Sequence, residues 1–139
     1  RELLDFLPVR ERTIVISETL HAIINHRAGG RPITFEGGIV RVADALDMTN
    51  GRSRIPFEAG KVDIYSLSAF AIDRVEIHEG KEKPLLIEIY MSNSAGVFQI
   101  DELLKSKLKD SGIEHFIEVI AYIEAESEKK LIAEFKVVT

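Results

Sequence analysis

The chain has 139 residues, of which 45% are apolar and 29% are charged, a composition typical of a globular protein long enough to bury one core. It contains no cysteine, which excludes disulfides and zinc–thiolate sites. The net charge of -5 argues against nucleic acid as a partner, because phosphate backbones are bound by clustered positive charge. No apolar run approaches the roughly 20 residues that span a bilayer, so we expect a cytoplasmic protein without a membrane partner.

The charges divide the chain into two unlike parts. Residues 1–69 hold nine basic and nine acidic side chains, whereas residues 70–139 hold nine basic and fourteen acidic ones. Eight of the nine arginines precede residue 60, and eight of the nine lysines follow residue 80. Arginine offers a bidentate fork to carboxylates and phosphates, whereas lysine offers a mobile point charge. The first part is therefore expected to carry chemistry and the second to be structural, although helix propensity and ion pairing also select arginine.

Two amphipathic helices are predicted in the first part. Apolar residues at helical spacing predict a helix over about residues 11–27, which a glycine pair ends. Thr34 is the expected N-cap of a second helix, which contains Gly37 and Gly38 and closes near residues 49–51. Each of these glycines weakens a helix by roughly 1 kcal/mol relative to alanine, which indicates close packing at that point.

Alternation with period two begins near residue 73 and predicts strands. They fall near residues 73–78, 85–90, 117–123 and 131–137, with a helix ending near Gly112 between the second and the third. This order predicts an α+β fold in which a four-stranded antiparallel sheet in ββαββ order is covered on one face by one helix. The boundary is expected between residues 56 and 72, so that helices occupy residues 1–60 and the α+β domain residues 61–139.

Two histidines and two aspartates on the predicted helices are candidates for chemistry. His21 and His26 lie about 140° apart on the first helix and cannot both point straight at one metal ion, whereas Asp44 and Asp47 lie about 60° apart on the second. Imidazole nitrogen and carboxylate oxygen suit manganese, iron, nickel, zinc or magnesium ions. These residues therefore define a candidate divalent metal site.

On spacing alone, structural roles are favoured for the same residues. A buried Asp44 needs a partner, because an unpaired buried carboxylate is costly, and Arg41, Arg27 or a backbone group would serve. His26 lies at a helix C-terminus, where the macrodipole favours a cationic side chain. The remaining histidines, His78 and His115, are expected to be surface residues.

A resemblance to a known family favours metal binding over these structural roles. The run His21-Ala-Ile-Ile-Asn-His26-Arg, the following Pro32-Ile-Thr and the run Ile39-Val-Arg-Val-Ala-Asp44-Ala-Leu-Asp47 resemble the later part of HD-superfamily metal-dependent phosphohydrolases. They are similar to an "Ala-Ile-x-x-His" helix and a final "Ala-Asp-x-Leu-Asp" helix of that family. The runs Gly51-Arg-Ser-Arg-Ile-Pro-Phe and Tyr90-Met-Ser-Asn-Ser-Ala-Gly-Val-Phe-Gln resemble a prokaryotic subfamily with a small appended C-terminal domain. The resemblance covers almost the whole chain.

The resemblance implies roles for particular residues. Asp44 matches the family's last metal-binding aspartate and is the expected catalytic residue, and His26 matches a histidine that joins the site in members holding two metal ions. His21 and Asp47 are candidates of second rank. The candidates to hold substrate phosphate through charge-assisted hydrogen bonds are Arg27, Arg31, Arg52 and Arg54. The implied cofactor is a divalent metal ion, and the implied substrate is a phosphate ester, a nucleotide or related small molecule.

One departure from the family limits this interpretation. The family is named for an adjacent His-Asp pair preceded by another histidine, and no His-Asp pair occurs in these residues. With its start at Arg1, the chain is therefore expected to be the C-terminal part of a longer enzyme whose N-terminal helices supply the missing ligands. The alternative is a non-catalytic binding or oligomerisation module derived from an HD protein.

The alternative has its own support in the second part. Exposed edges of the acidic sheet could pair between subunits into a homo-oligomer. The segment from Ser92 to Gly96 precedes a helix and could receive an anion, although its residues are also ordinary formers of turns and helix caps.

Overall fold

The computed structural model describes residues 2–27, 29–49, 64–124 and 134–136, which form an α+β fold. The helices are α1 (Val9–Asn25), α2 (Phe35–Leu46), α3 (Ile64–Phe70) and α4, in which Val97–Gln99, a π-helical turn at Ile100–Lys105 and Ser106–Lys109 follow one another. The strands are β1 (Ile72–Glu79), β2 (Leu85–Met91), β3 (Ile117–Ile123) and the short β4 (Glu134–Lys136). Short 3-10 turns occupy Glu2–Leu4, Ser94–Gly96 and Glu114–Phe116.

The sheet is mixed, and the expectation of an antiparallel sheet is wrong for its central pair. The strands lie in the order β1-β2-β3-β4. The outer pairs, β1 with β2 and β3 with β4, are antiparallel, whereas the central pair, β2 with β3, is parallel. The reason is the segment that joins β2 to β3. Residues 92–116 include α4 and carry the chain back along the sheet, so β3 starts at the same end as β2 (Leu85 beside Ile117).

The core lies between one face of the sheet and two helices. β2 and β3 alternate buried and partly buried residues, and their buried side chains pack against apolar side chains of α4. Val42 and Ala45 of α2, and Met48 just after this helix, belong to the same core. The predicted division at residue 60 stays a prediction, since residues 50–63 lie outside the described part, but α2 and the sheet share one apolar cluster.

The two predicted N-terminal helices are present, with ends that differ by a few residues. α1 is displaced by two residues from the predicted span, and Thr34 caps α2, its hydroxyl oxygen accepting a hydrogen bond from the Gly37 N–H at 3.2 Å. α2 ends at Leu46, earlier than expected. α3 was not expected at all, since it lies where the sequence predicts a domain boundary.

A buried arginine ties α1, α2 and α4 together. Arg41 has no exposed surface. Its Nε donates to the Lys107 carbonyl oxygen at 3.0 Å, and its Nη1 donates to the carbonyl oxygens of Asn25, at 3.2 Å, and Arg27. These carbonyls belong to the last turn of α4 and the end of α1, where helix carbonyls lack intrahelical partners and carry partial negative charge.

The glycine pair of α2 lies where the helix approaches its neighbours most closely, which confirms the close packing predicted there. A Cβ on Gly37 would lie 2.9 Å from the imidazole of His21, on α1. A Cβ on Gly38 would overlap the backbone oxygen of Ser111, in the loop after α4, and would lie 3.2 Å from Ile113 Cγ2. The two glycines let α2 contact both α1 and this loop.

We expect Gly38→Ala to lower the free energy of unfolding by about 1–3 kcal/mol, because the added methyl group displaces a backbone segment rather than a side chain. Urea denaturation measures the loss. Gly29→Ala is the control, since a Cβ there meets nothing within 4 Å. Equal stability of Gly38→Ala and the wild-type chain would contradict the packing described.

We expect Arg41→Met to cost about 3 kcal/mol or more, because it leaves buried carbonyl groups without donors. The exposed Arg31→Met serves as the control and should change stability by less than about 0.5 kcal/mol. The same denaturation measurement compares the two variants. Equal effects of the two substitutions would rule out a central role for the Arg41 contacts.

Candidate functional site

Asp44 lies on α2 and forms an ion pair with a residue that spacing did not indicate. Its Oδ2 accepts a hydrogen bond from Lys107 Nζ on α4, a partner that was not among those expected. The Lys107 side chain is 12% exposed and that of Asp44 is 31% exposed. The carboxylate is therefore held by a cation while its side chain stays partly exposed.

His26 follows α1 and keeps one ring nitrogen for a further partner. Its Nδ1 lies 2.6 Å from the Ile23 carbonyl oxygen. Because a carbonyl oxygen only accepts, we assign the proton to Nδ1, which leaves a lone pair on Nε2. An imidazole oriented by a backbone carbonyl in this way is typical of histidines that bind metals.

His21 has a structural role in this conformation. Its Nε2 accepts a hydrogen bond from the Ile33 N–H at 3.2 Å, so its Nδ1 carries the proton and donates to the Thr34 hydroxyl at 3.1 Å. Thr34 in turn caps α2. Both ring nitrogens are used to fix the start of α2 against α1, which leaves neither for a metal ion.

The other candidates are exposed or lie outside the described residues. Asp47 is the exposed residue that ends α2, Arg27 and Arg31 are exposed after α1, and Arg52 and Arg54 lie outside the described residues. Among the ranges that the structure describes, no three metal-ligating side chains from this helical part converge. Asp44 and His26 therefore offer at most two ligands.

The segment from Ser92 to Gly96 forms a cap. The Asn93 side-chain oxygen accepts a hydrogen bond from the Ala95 N–H at 3.0 Å, and Gly96 is buried against Met91. This segment therefore forms the turn and cap that its residue types favour, and it leads directly into α4.

Three metal-ligating side chains converge instead on the open face of the sheet, opposite the core. Glu76 and His78 lie on β1 and Glu88 lies on β2; we refer to them as the Glu–His–Glu cluster. His78 Nε2 lies 3.2 Å from Glu76 Oε2 and 3.4 Å from Glu88 Oε2. The strand register places Glu76 directly opposite Glu88.

Donors outside the cluster fix the other oxygens of both glutamates. Arg74 Nε donates to Glu76 Oε1 at 2.9 Å, and the Tyr122 hydroxyl donates to Glu88 Oε1 at 2.9 Å. The Arg74 guanidinium also donates to Glu124 and lies 3.6 Å above the ring of Tyr90, which stacks on Tyr122. The cluster therefore stands on an ordered polar and aromatic layer.

These contacts shift the acidity of the groups involved. The pKa of Glu76 is lowered from its ordinary 4.5, first by the hydrogen bond from Arg74 and then by the one from His78. The pKa of the Tyr90 phenol is raised, first by loss of hydration and then by the charges of Glu88 and Glu76. The pKa of Arg74 is raised by its bonds to Glu124 and Glu76. Glu76 is therefore anionic at neutral pH.

Sequence reasoning did not identify this cluster. His78 and His115 are exposed, as expected, but His78 is not isolated. A signal was present: Arg74, Glu76 and His78 alternate along one strand and so share one face, and the short turn before β2 brings Glu88 across from them. Pairing the strands by register before assessing the histidines would have found it.

A comparison with known proteins gives one relative. The chain is 52% identical over 110 residues to an uncharacterised protein of Methanocaldococcus jannaschii. The aligned part is 79% of this chain and 42% of that protein, so the chain spans about two fifths of the relative's length. No family model matches the chain, and no solved structure matches it. Within the described residues, no helix has the length and apolar character to cross a membrane.

We expect the measured pKa of Glu76 to lie below 4.5 and to rise in Arg74→Gln, because the main donor to the carboxylate is removed. NMR titration of the Glu76 carboxyl carbon in EDTA measures both values. Because the native pKa is depressed, the pair stabilises the fold above the unfolded pKa and loses this effect as pH falls through the native one. Exposed Glu79 is the control, and equal Glu76 values in both proteins would contradict the assignment.

Proposed function

We propose that this chain forms the later part of an HD-type metal-dependent phosphohydrolase together with its small α+β attachment, and that the full-length protein hydrolyses a phosphate ester. The observation that carries the proposal is an apolar surface on α1 that nothing in the described residues covers. The chain's share of the site comes from Asp44 and His26.

The apolar surface of α1 is that of a helix inside a larger helical domain. Val9, Ile16, Leu20 and Ile23 fall within about 60° of one another around the helix axis. Their exposed fractions are 75%, 38%, 53% and 57%, whereas α1 buries only Ala22 among its described residues. Contiguous exposed apolar surface of this kind marks a packing interface.

The length of the relative agrees with such an interface. More than half of the Methanocaldococcus jannaschii protein lies outside the aligned 110 residues. Further helices of a longer protein would cover the apolar surface of α1. They would also bring the histidine and the His-Asp pair that these residues lack. The alternative is that a second copy of this chain packs on the apolar surface of α1, as in a non-catalytic oligomerisation module.

The residues present fit a divalent metal ion in part. His26 would offer Nε2 with the orientation that its Nδ1 contact supplies, and Asp44 would offer a carboxylate oxygen. His21 does not fit, since both of its nitrogens are used. A bound metal ion would lower the pKa of a water ligand and offset charge on phosphoryl oxygens.

The chain's own side chains would position the reacting groups. Lys107 fixes the rotamer of Asp44 and partly balances its charge, while Arg41 holds α2 and the end of α1 in one arrangement. The exposed Arg27 and Arg31 follow α1 directly and would offer charge-assisted hydrogen bonds to a substrate phosphate. The substrate class we propose is a nucleotide or a related phosphorylated small molecule.

We expect Asp44→Asn in the full-length protein to reduce the hydrolysis of p-nitrophenyl phosphate at least about tenfold and to lower the metal content by the ion held at this site, because a ligand is lost. Elemental analysis and a rate measurement check this. Asp101→Asn is the control, since Asp101 is another aspartate paired with a lysine, Lys105, at 3.7 Å.

A second variant separates the ligand from the ion pair. Lys107→Met breaks the contact with Asp44 but keeps the carboxylate, so metal content should persist. Unchanged metal content and activity in Asp44→Asn would refute the hydrolase, and a protein without phosphatase activity that dimerises through α1 would support the module.

A further inference from the structure

The Glu–His–Glu cluster brings like charges together on a sheet surface. Glu76 and Glu88 face one another across β1 and β2, an arrangement that destabilises a sheet unless a cation lies between the carboxylates. Both sit in the part of the chain that carries the excess of acidic residues. Arg74 offsets part of this charge at Glu76 Oε1, but the Oε2 atoms of both glutamates pair only with His78 among the described residues.

A protonated His78 meets this need poorly. Its Nε2 offers a single N–H, which has to be shared between oxygens 3.2 Å and 3.4 Å away, and both distances exceed those of good charge-assisted hydrogen bonds. The same separations suit a metal ion. Ligands about 2.1 Å from a tetrahedral zinc ion lie about 3.4 Å from one another, and the three ligand atoms here are within 4.8 Å of each other.

The hydrogen bonds around the cluster also favour a metal site. Each glutamate has one oxygen held by an outside donor, Arg74 for Glu76 and Tyr122 for Glu88, and its other oxygen turned toward His78 Nε2. Metal-binding carboxylates are typically oriented by such neighbours. The donors here leave three unblocked ligand atoms facing one point.

We propose that Glu76, His78 and Glu88 bind one divalent first-row transition-metal ion on the open face of the sheet. Glu76 Oε2, Glu88 Oε2 and His78 Nε2 are the ligands, and water completes the coordination, since the side chains are 39%, 47% and 18% exposed for Glu76, His78 and Glu88. One imidazole and two carboxylates favour zinc, nickel, cobalt, iron or manganese over magnesium.

This site is independent of the proposed hydrolase centre. It lies on β1 and β2, whereas Asp44 and His26 belong to the helical part. The ion would bridge two strands and replace repulsion between their carboxylates with shared coordination. Its first expected effect is on the stability of the hairpin, and it requires no residue outside the chain.

Calorimetric titration of the EDTA-stripped 139-residue chain with zinc chloride tests the proposal, with magnesium chloride as a comparison. We expect saturable binding of one zinc ion per chain, a higher Tm with zinc, and little response to magnesium. His78→Asn and Glu88→Gln should each weaken zinc binding at least about tenfold. Using two variants covers the case in which one fails to fold, which circular dichroism reports.

Three control variants show whether zinc binding depends on the cluster in particular. Glu79→Gln removes an exposed carboxylate from the same strand, His115→Asn removes an exposed histidine, and Asp44→Asn removes the helical candidate. All three should bind zinc like the wild-type chain. Absence of saturable binding, or binding that survives His78→Asn, overturns the proposal. Because Asp44→Asn is included, loss of this site and loss of the proposed hydrolase site give different patterns.

Discussion

The arrangement of this chain depends on one buried cation and the helix ends around it. Arg41 places a guanidinium where α1 and α4 both finish and satisfies carbonyl oxygens of Asn25, Arg27 and Lys107. An arginine suits this position because its planar fork keeps several donors at fixed angles, and helix C-termini supply partial negative charge without a buried carboxylate. Through that contact the helical part and the sheet part take one relative position, and Asp44, three residues further along α2, is set beside Lys107.

The two candidate sites differ in how complete they are. The helical part offers Asp44 and His26, each oriented by a neighbour, beside an α1 surface that is too apolar to be a finished exterior. The open sheet face offers three ligand atoms and their supporting donors from the chain's own strands. The helical site that we propose would need ligands from a longer protein, whereas the proposed sheet site draws all three ligands from this chain.

Local patterns in the sequence predicted more of the fold than of its chemistry. Apolar spacing and Thr34 located α1 and α2, and period two located β1, β2 and β3, because these signals depend on neighbours along the chain. The parallel pairing of β2 with β3 was missed, since it depends on which end of the sheet α4 returns to. The partner of Asp44 and the grouping of His78 with Glu88 were missed for a similar reason. Both join residues from separate elements, which spacing within one element does not report.

The position of β1 has a consequence for how copies of this protein meet. In the sheet order β1 lies at an edge, where unpaired backbone groups invite another strand. Five of its eight residues carry acidic, arginine or histidine side chains, namely Asp73, Arg74, Glu76, His78 and Glu79. Charge along an edge strand opposes edge-to-edge pairing between molecules, so the side chains that form the Glu–His–Glu cluster also disfavour aggregation through this strand.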